Sequence, residues 1–140
     1  MKAQELMLGD WVYGLYPNGE RYEVPFRISA IDTYPSNRSP RIVTFGGYGF
    51  QEEHLEPIPI TPEILEKNWF VFLYSSVPGG TPQEQRMRKV DTYKWQGIAV
   101  NYYHETNDLQ MVNFRGVRLN YVHQLQHALR LVGIEKEIVL

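Results

Sequence analysis

A chain of 140 residues with 43% apolar and 21% charged residues has the composition of one compact domain or two small units, not of a disordered or fibrous protein. Its formal charge of −2 sets up no strong field towards DNA, RNA or an acidic membrane. The absence of Cys excludes disulfides, thiolate metal sites and a cysteine nucleophile together.

Met1 to Leu6 carry no long apolar core followed by a small-residue cleavage site. No window approaches the roughly 18 apolar residues of a membrane span. The expected location is the cytoplasm. Ten Tyr and an aromatic content of 14% favour pleated, half-buried surfaces.

In chain order, 8–16 reads as a strand, and Asn18-Gly19 as a hairpin turn, because both residues tolerate positive φ. The return strand alternates, with Tyr22, Val24, Phe26, Ile28 and Ala30 apolar and Glu23, Pro25, Arg27 and Ser29 between them. That period of two predicts one buried and one wet face, with Pro25 marking an edge or a bulge. A loop at 34–40, a strand at 41–45, a glycine turn at 46–49 and an extended run to Ile60 follow. So many short strands predict a small, strongly bent barrel of the Src-homology-3-like kind.

Thr61-Pro62-Glu63 opens a predicted helix over 61–69, with Thr61 as cap and Pro62 in the first helical position. Phe70 to Tyr74 then reads as a buried strand, and 78–85 as a mobile loop. Segments 87–93, 97–104 and 109–114 read as an antiparallel meander. Asn120 is expected to cap a helix over 121–132, which Gly133 stops. The predicted fold is therefore α+β: a small N-terminal β-barrel over 1–60, then a 61–140 unit whose antiparallel meander, with strands within 70–119, packs on two helices.

The most suggestive motif is His123-Gln124-Leu125-Gln126-His127, with two His at the i, i+4 spacing of a zincin helix. That chemistry needs Glu after the first His as general base, and Gln124 cannot take a proton from a bound water. On a helical wheel Tyr121, Val122, Leu125, Ala128, Leu129 and Val132 share one face. His123, Gln126, His127 and Arg130 fall mainly opposite and form the expected partner-binding face. Gly46 to Phe50 has no following helix to complete a phosphate cradle, so it reads as a tight turn. Arg86, Arg88, Lys89 and Lys94, with Trp95, are the alternative: a basic and aromatic cluster for nucleic-acid contact, weak because the chain is acidic overall. Glu52-Glu53-His54 and Tyr103-His104-Glu105 hold acid and base groups, but strand neighbours point to opposite faces. They read as solvated loop residues. No catalytic residue, metal ligand or cofactor is assigned.

Three stretches, Leu8 to Val12, Leu55 to Asn68 and Tyr121 to Gln126, resemble a group of small proteins from anaerobic gut bacteria, often encoded near phage or mobile-element genes. In that group Gly commonly follows the Asn at position 68, where this chain has Trp69. The group carries no established activity, so no site residue transfers. The resemblance implies a bacterial, cytosolic accessory protein linked to phage. The expected function is non-enzymatic binding of an unidentified protein partner, ahead of a nucleic-acid-binding module and of a metal-dependent enzyme.

Overall fold

In the computed structural model, residues 1–33, 39–77, 79–112, 114 and 117–140 are described. Most of the loop read at 34–40, the first residue of the loop read at 78–85 and one residue of the strand read at 109–114 fall outside them. The chain divides into two units, Met1–Ile58 and Pro59–Leu140.

The first unit holds β1 (Trp11–Gly14), β2 (Phe26–Asp32), β3 (Arg41–Thr44), β4 (Gly49–Gln51) and β5 (Leu55–Pro57) in an antiparallel sheet of order β4-β3-β2-β1-β5. The Asn-Gly turn forms where it was read, with Gly19 at φ 85 and the Glu20 N–H donating to Asn18 Oδ1 at 3.0 Å. β2 begins only after Pro25, which has no N–H for the ladder. Val24, expected inside, is exposed, while Phe26 and Ile28 are buried. A bulge at Ser29 shifts the β2–β3 register and adds local twist. A 3₁₀ turn, Glu52–His54, carries the chain from β4 to β5, which pairs with β1. Among the described residues no ladder joins β4 to β5, so the sheet is open where a closed barrel was expected. Strand count alone cannot decide closure. Closure needs the two end strands to meet in register, and here each is only three residues long. Ala3, Leu6, Val12, Phe26, Ile28, Ile42, Phe50 and Leu55 form the core.

The second unit holds α1 (Pro62–Lys67), β6 (Val71–Ser76), α2 (Pro82–Met87), β7 (Val90–Trp95), β8 (Ile98–Tyr103), β9 (Asp108–Met111), β10 (Arg118–Leu119) and α3 (Val122–Leu131). The sheet runs β10-β9-β8-β7-β6, each strand antiparallel to its neighbours in sequence. Gln96 and Gly97, both at positive φ, turn the β7–β8 hairpin in the sense that matches strand twist. The mixed composition of two antiparallel sheets and helices makes the protein α+β.

Three expectations for this unit are corrected. β6, read as buried, is exposed along its whole length because it is the last strand of the sheet. Part of the expected mobile loop is α2, nucleated by a capping box in which Thr81 and Glu84 bond each other's backbone. The N-cap of α3 is Tyr121, not Asn120. Gln124 Oε1 accepts from the backbone N–H groups of both, at 2.8 and 3.2 Å.

α3 is also rotated from its expected setting. His123 and Gln126, placed on the outer face by the wheel, are 3% and 4% exposed, and His127 and Arg130 are half-buried. Val122, Gln126 and Leu129 lie at the centre of the buried face. Ala128 and Val132 instead line a small apolar groove with Met111, Phe114 and Val117. The wheel weighed apolar residues alone, and the buried face also takes in two polar ones. The helix stops as read, with Gly133 at φ 83 and the Ile134 N–H reaching back to the Leu129 carbonyl at 2.9 Å.

The exit from α1 is less ordinary. Asn68 is buried, and its amide donates to the carbonyls of Ile64 and Val139 and accepts from the Val139 N–H, each at 2.7 Å. Trp69 follows at φ 69, the left-handed position where helices favour Gly. A bulky side chain there costs about 1–2 kcal/mol. The Lys136 ammonium lies 3.8 Å from the Trp69 ring centroid, and the Trp95 ring 5.9 Å away.

Two outcomes are expected from chemical denaturation. Leu125→Ala should cost about 2–5 kcal/mol, and His123→Ala and Gln126→Ala about 1–3 kcal/mol each, because buried polar groups are removed. Leu131→Ala, at a position 88% exposed, should stay within about 0.5 kcal/mol. His123→Ala as neutral as Leu131→Ala would contradict this orientation of α3. At position 69, Trp69→Gly and Trp69→Ala both lose the indole, but only Gly relieves the backbone. The Gly variant should be about 1 kcal/mol more stable than the Ala variant, and equal midpoints would show that Trp69 is unstrained.

Candidate functional site

The first unit gathers five aromatic rings, those of Tyr16, Tyr22, Phe26, Tyr48 and Phe50, into one set. Gly14 and Tyr22 are joined by a backbone hydrogen bond of 3.0 Å, Tyr16 and Glu20 by one of 2.8 Å, and Leu15 bridges Arg21. Side chains alternate along such a ribbon. Gly14, Tyr16, Glu20 and Tyr22 therefore share one side, and Tyr13, Leu15 and Arg21 the other, where the Arg21 guanidinium lies 4.3 Å from the Tyr13 ring centroid.

Tyr16 and Tyr22 stack with centroids 3.8 Å apart. Tyr22 meets Phe26 at 5.2 Å, Phe50 at 5.8 Å and Tyr48 at 6.2 Å in edge-on geometry. Phe26 closes the set against Tyr48 at 5.1 Å and Phe50 at 5.2 Å. Five rings are thus fixed by one another, with Phe26 and Phe50 buried and Tyr16 and Tyr48 exposed by 42% and 51%. Burial, and then the neighbouring Tyr16 and Tyr48 phenols, push the Tyr22 hydroxyl above its ordinary value. Two open depressions of about 360 and 580 Å³ meet at Tyr22. Leu15, Pro17, Phe50 and His54 line the first, and Glu20, Arg21 and Glu23 the second.

None of these tyrosines was singled out from sequence. The Asn18-Gly19 signal did not give their grouping: a two-residue turn would pair Leu15 with Tyr22 and leave Tyr16 on the other side. The observed Tyr16–Glu20 pairing instead closes a three-residue loop and puts Tyr16 and Tyr22 on one side. Tyr48 is brought to them only by sheet pairing across β2 and β3.

The second unit holds a polar cluster that the sequence scattered over three segments. Asp91 is buried, and its carboxylate accepts from the Ser75 hydroxyl at 2.5 Å, contacts His104 Nε2 at 2.6 Å and lies 3.4 Å from the Lys89 ammonium. His104, read as a solvated loop residue, is tied into this cluster. Burial raises the Asp91 carboxyl, but the bonds from Ser75 and His104 and the nearby positive charges outweigh it and hold the group below the usual carboxylate range. Burial, then the charges of Asp91, Glu66 and Glu63, push the Tyr93 hydroxyl up to about 12. Ser, His and Asp are all present, yet a nucleophilic triad needs imidazole between hydroxyl and carboxylate. Here the carboxylate sits in the middle, an arrangement that locks strands together.

The expected partner face is divided, with His123 and Gln126 inside and His127 and Arg130 at the margin. The His123 and His127 rings lie 5.8 Å apart. Among the described residues, no three His, Cys, Asp or Glu side chains are grouped as a metal site would need. Of the basic cluster, Arg86, Arg88 and Lys94 are exposed and Lys89 pairs with Asp91. Trp95 is buried against Phe70 and Trp69. As neighbours on β7, Lys94 and Trp95 point to opposite faces and do not present charge and ring together.

No family model, curated protein or solved structure matches the chain. Among the described residues, no helix is long and apolar enough to cross a membrane.

The Asp91 cluster has a pH signature. A carboxyl depressed on folding contributes stability that is complete above its unfolded value of about 3.9 and is lost as pH falls through the folded value. Melting followed from about pH 7 down to pH 2 should show a steep acid limb, flattened in Asp91→Asn. Equal acid slopes in both proteins would show that Asp91 gains nothing from Ser75 and His104.

Proposed function

We propose that the protein is a non-enzymatic binding module whose contact surface is the tyrosine face of the first unit, and that its ligand is an extended peptide segment of a partner protein. The observation that carries this reading is the ring set of Tyr16, Tyr22 and Tyr48 backed by Phe26 and Phe50. Rings already fixed by their neighbours lose little freedom on binding. Aromatic-lined grooves suit extended, proline-containing segments, whose carbonyls accept from phenol hydroxyls. The meander order, with a 3₁₀ turn leading into the strand that returns to β1, supports reading this unit as a bent sheet of the Src-homology-3-like kind. A cytoplasmic accessory role in a bacterium or its phage rests on the resemblance alone.

The nucleic-acid alternative draws on Arg86, Arg88 and Lys94. The engagement of Lys89 by Asp91 and the burial of Trp95 favour the peptide reading.

Selection from a displayed peptide library against the whole protein tests the proposal. Peptides enriched on the wild type should lose at least about tenfold in affinity for Tyr16→Ala and Tyr48→Ala, since interface aromatics are the usual hot spots. Both variants should keep native circular dichroism. Enriched peptides that bind both variants as tightly as wild type would move the site elsewhere. Oligonucleotide binding that survives about 0.2 M salt, with no enriched peptide, would favour the alternative.

A further inference from the structure

Sheet edges expose unpaired backbone groups, and native proteins blunt them with short strands, charges or Pro. Among the described residues, three of the four edges in this protein follow that rule. β4 and β5 have three residues each, β5 ending in Pro57, and β10 has two, one of them Arg118. β6 does not. It runs for six residues, Val71-Phe72-Leu73-Tyr74-Ser75-Ser76, with no charge and no Pro. Val71, Phe72, Leu73 and Tyr74, with the adjoining Val77, are each between 46% and 63% exposed.

We propose that β6 pairs antiparallel with β6 of a second copy, joining two five-stranded sheets across a two-fold axis. The strand carries no charged group that would select a different partner. Reversed on itself, it sets an uncharged, largely apolar run against the same run, the self-complementarity that a two-fold interface requires. Leu73 has no residue opposite it on β7, because the register shifts between Phe72 and Tyr74. Its side chain is 47% exposed, and that exposed part is available to the second copy. The Asp91 carboxylate on the neighbouring β7 is engaged within its own unit, by the Ser75 hydroxyl, His104 and the Lys89 ammonium, so its charge is balanced there.

The area fits a reversible dimer. With these side chains at typical full areas, the exposed fractions amount to roughly 450 Å² per copy, or about 900 Å² in total, below the 1,200–2,000 Å² of stable interfaces. Backbone bonds along the strand add to that contact, so association should depend on concentration.

Sedimentation equilibrium of the whole protein from about 1 to 300 µM covers the range in which such an interface dissociates. The mass should rise from 16.4 kDa towards twice that value. Leu73→Lys puts a gatekeeper charge on the edge. It should weaken association at least tenfold, with circular dichroism and the unfolding midpoint unchanged at the low concentrations where both proteins are monomeric. The chain has no Cys, so Leu73→Cys supplies a single thiol beside the axis. Under oxidised glutathione it should form covalent dimers faster than Leu131→Cys, whose thiol lies on α3. A constant mass of 16.4 kDa up to the highest concentration would overturn the proposal. So would a dimer that Leu73→Lys leaves intact and that links no faster at position 73 than at 131. Assembly growing past the dimer would also overturn it, because it indicates head-to-tail contact.

Discussion

A Cβ atom added at Gly14 would lie 2.5 Å from the Phe50 ring and 3.2 Å from Phe26, and the organisation of the first unit follows from that missing atom. β1 has to pass beneath the aromatic set at a distance no side chain allows. With Phe50 seated on bare backbone, Phe26 and Phe50 close against each other and Tyr22 comes down edge-on to both. Tyr22 in turn supports Tyr16 at the mouth of the hairpin. Interiors packed at crystal-like density transmit such a displacement instead of absorbing it. The tyrosine face therefore rests on a glycine in the strand beneath it.

The second unit is tied by polar groups that act as pieces of backbone. The Asn68 amide offers Val139 both a donor and an acceptor, as a neighbouring strand would, and so docks the C-terminal segment against the end of α1. Neither Asp nor Leu could replace it, since one lacks the donor and the other lacks both groups. Asp91 plays a comparable part between β6, β7 and the residue after β8. In both places a buried polar side chain is acceptable because its bonds are short and it has several partners.

What could be read from sequence was what local chemistry controls. The Asn18-Gly19 turn, the Thr61 cap, Pro62 at the start of α1 and Gly133 at the end of α3 act within a few residues and formed as read. The α+β composition followed from the same signals. Burial was less legible. Phe70 to Tyr74 reads as a core strand because apolarity carries no information on whether a strand lies at the centre or the edge of its sheet. His123 and Gln126 read as outward because a wheel assumes that polar residues seek water. The candidate site was hidden for a third reason. Tyr16, Tyr22 and Tyr48 become neighbours through a hairpin and two ladders, and each looks ordinary alone. The Ser75, Asp91 and His104 cluster has the same origin.

The Lys136 side chain over Trp69 and Trp95 gives the second unit an optical handle. The chain has three Trp, and Trp11 lies in the first unit while the other two sit 5.9 Å apart in the second. Indoles so close exchange excitation and couple their transition dipoles, so they contribute a paired band to the near-ultraviolet dichroism. An ammonium 3.8 Å from the Trp69 centroid stabilises its electron cloud and shifts its emission. Release of the C-terminal segment would remove that cation and change the emission of Trp69. The fraying of this segment is thereby distinguishable, without a label, from the melting of the unit that holds it.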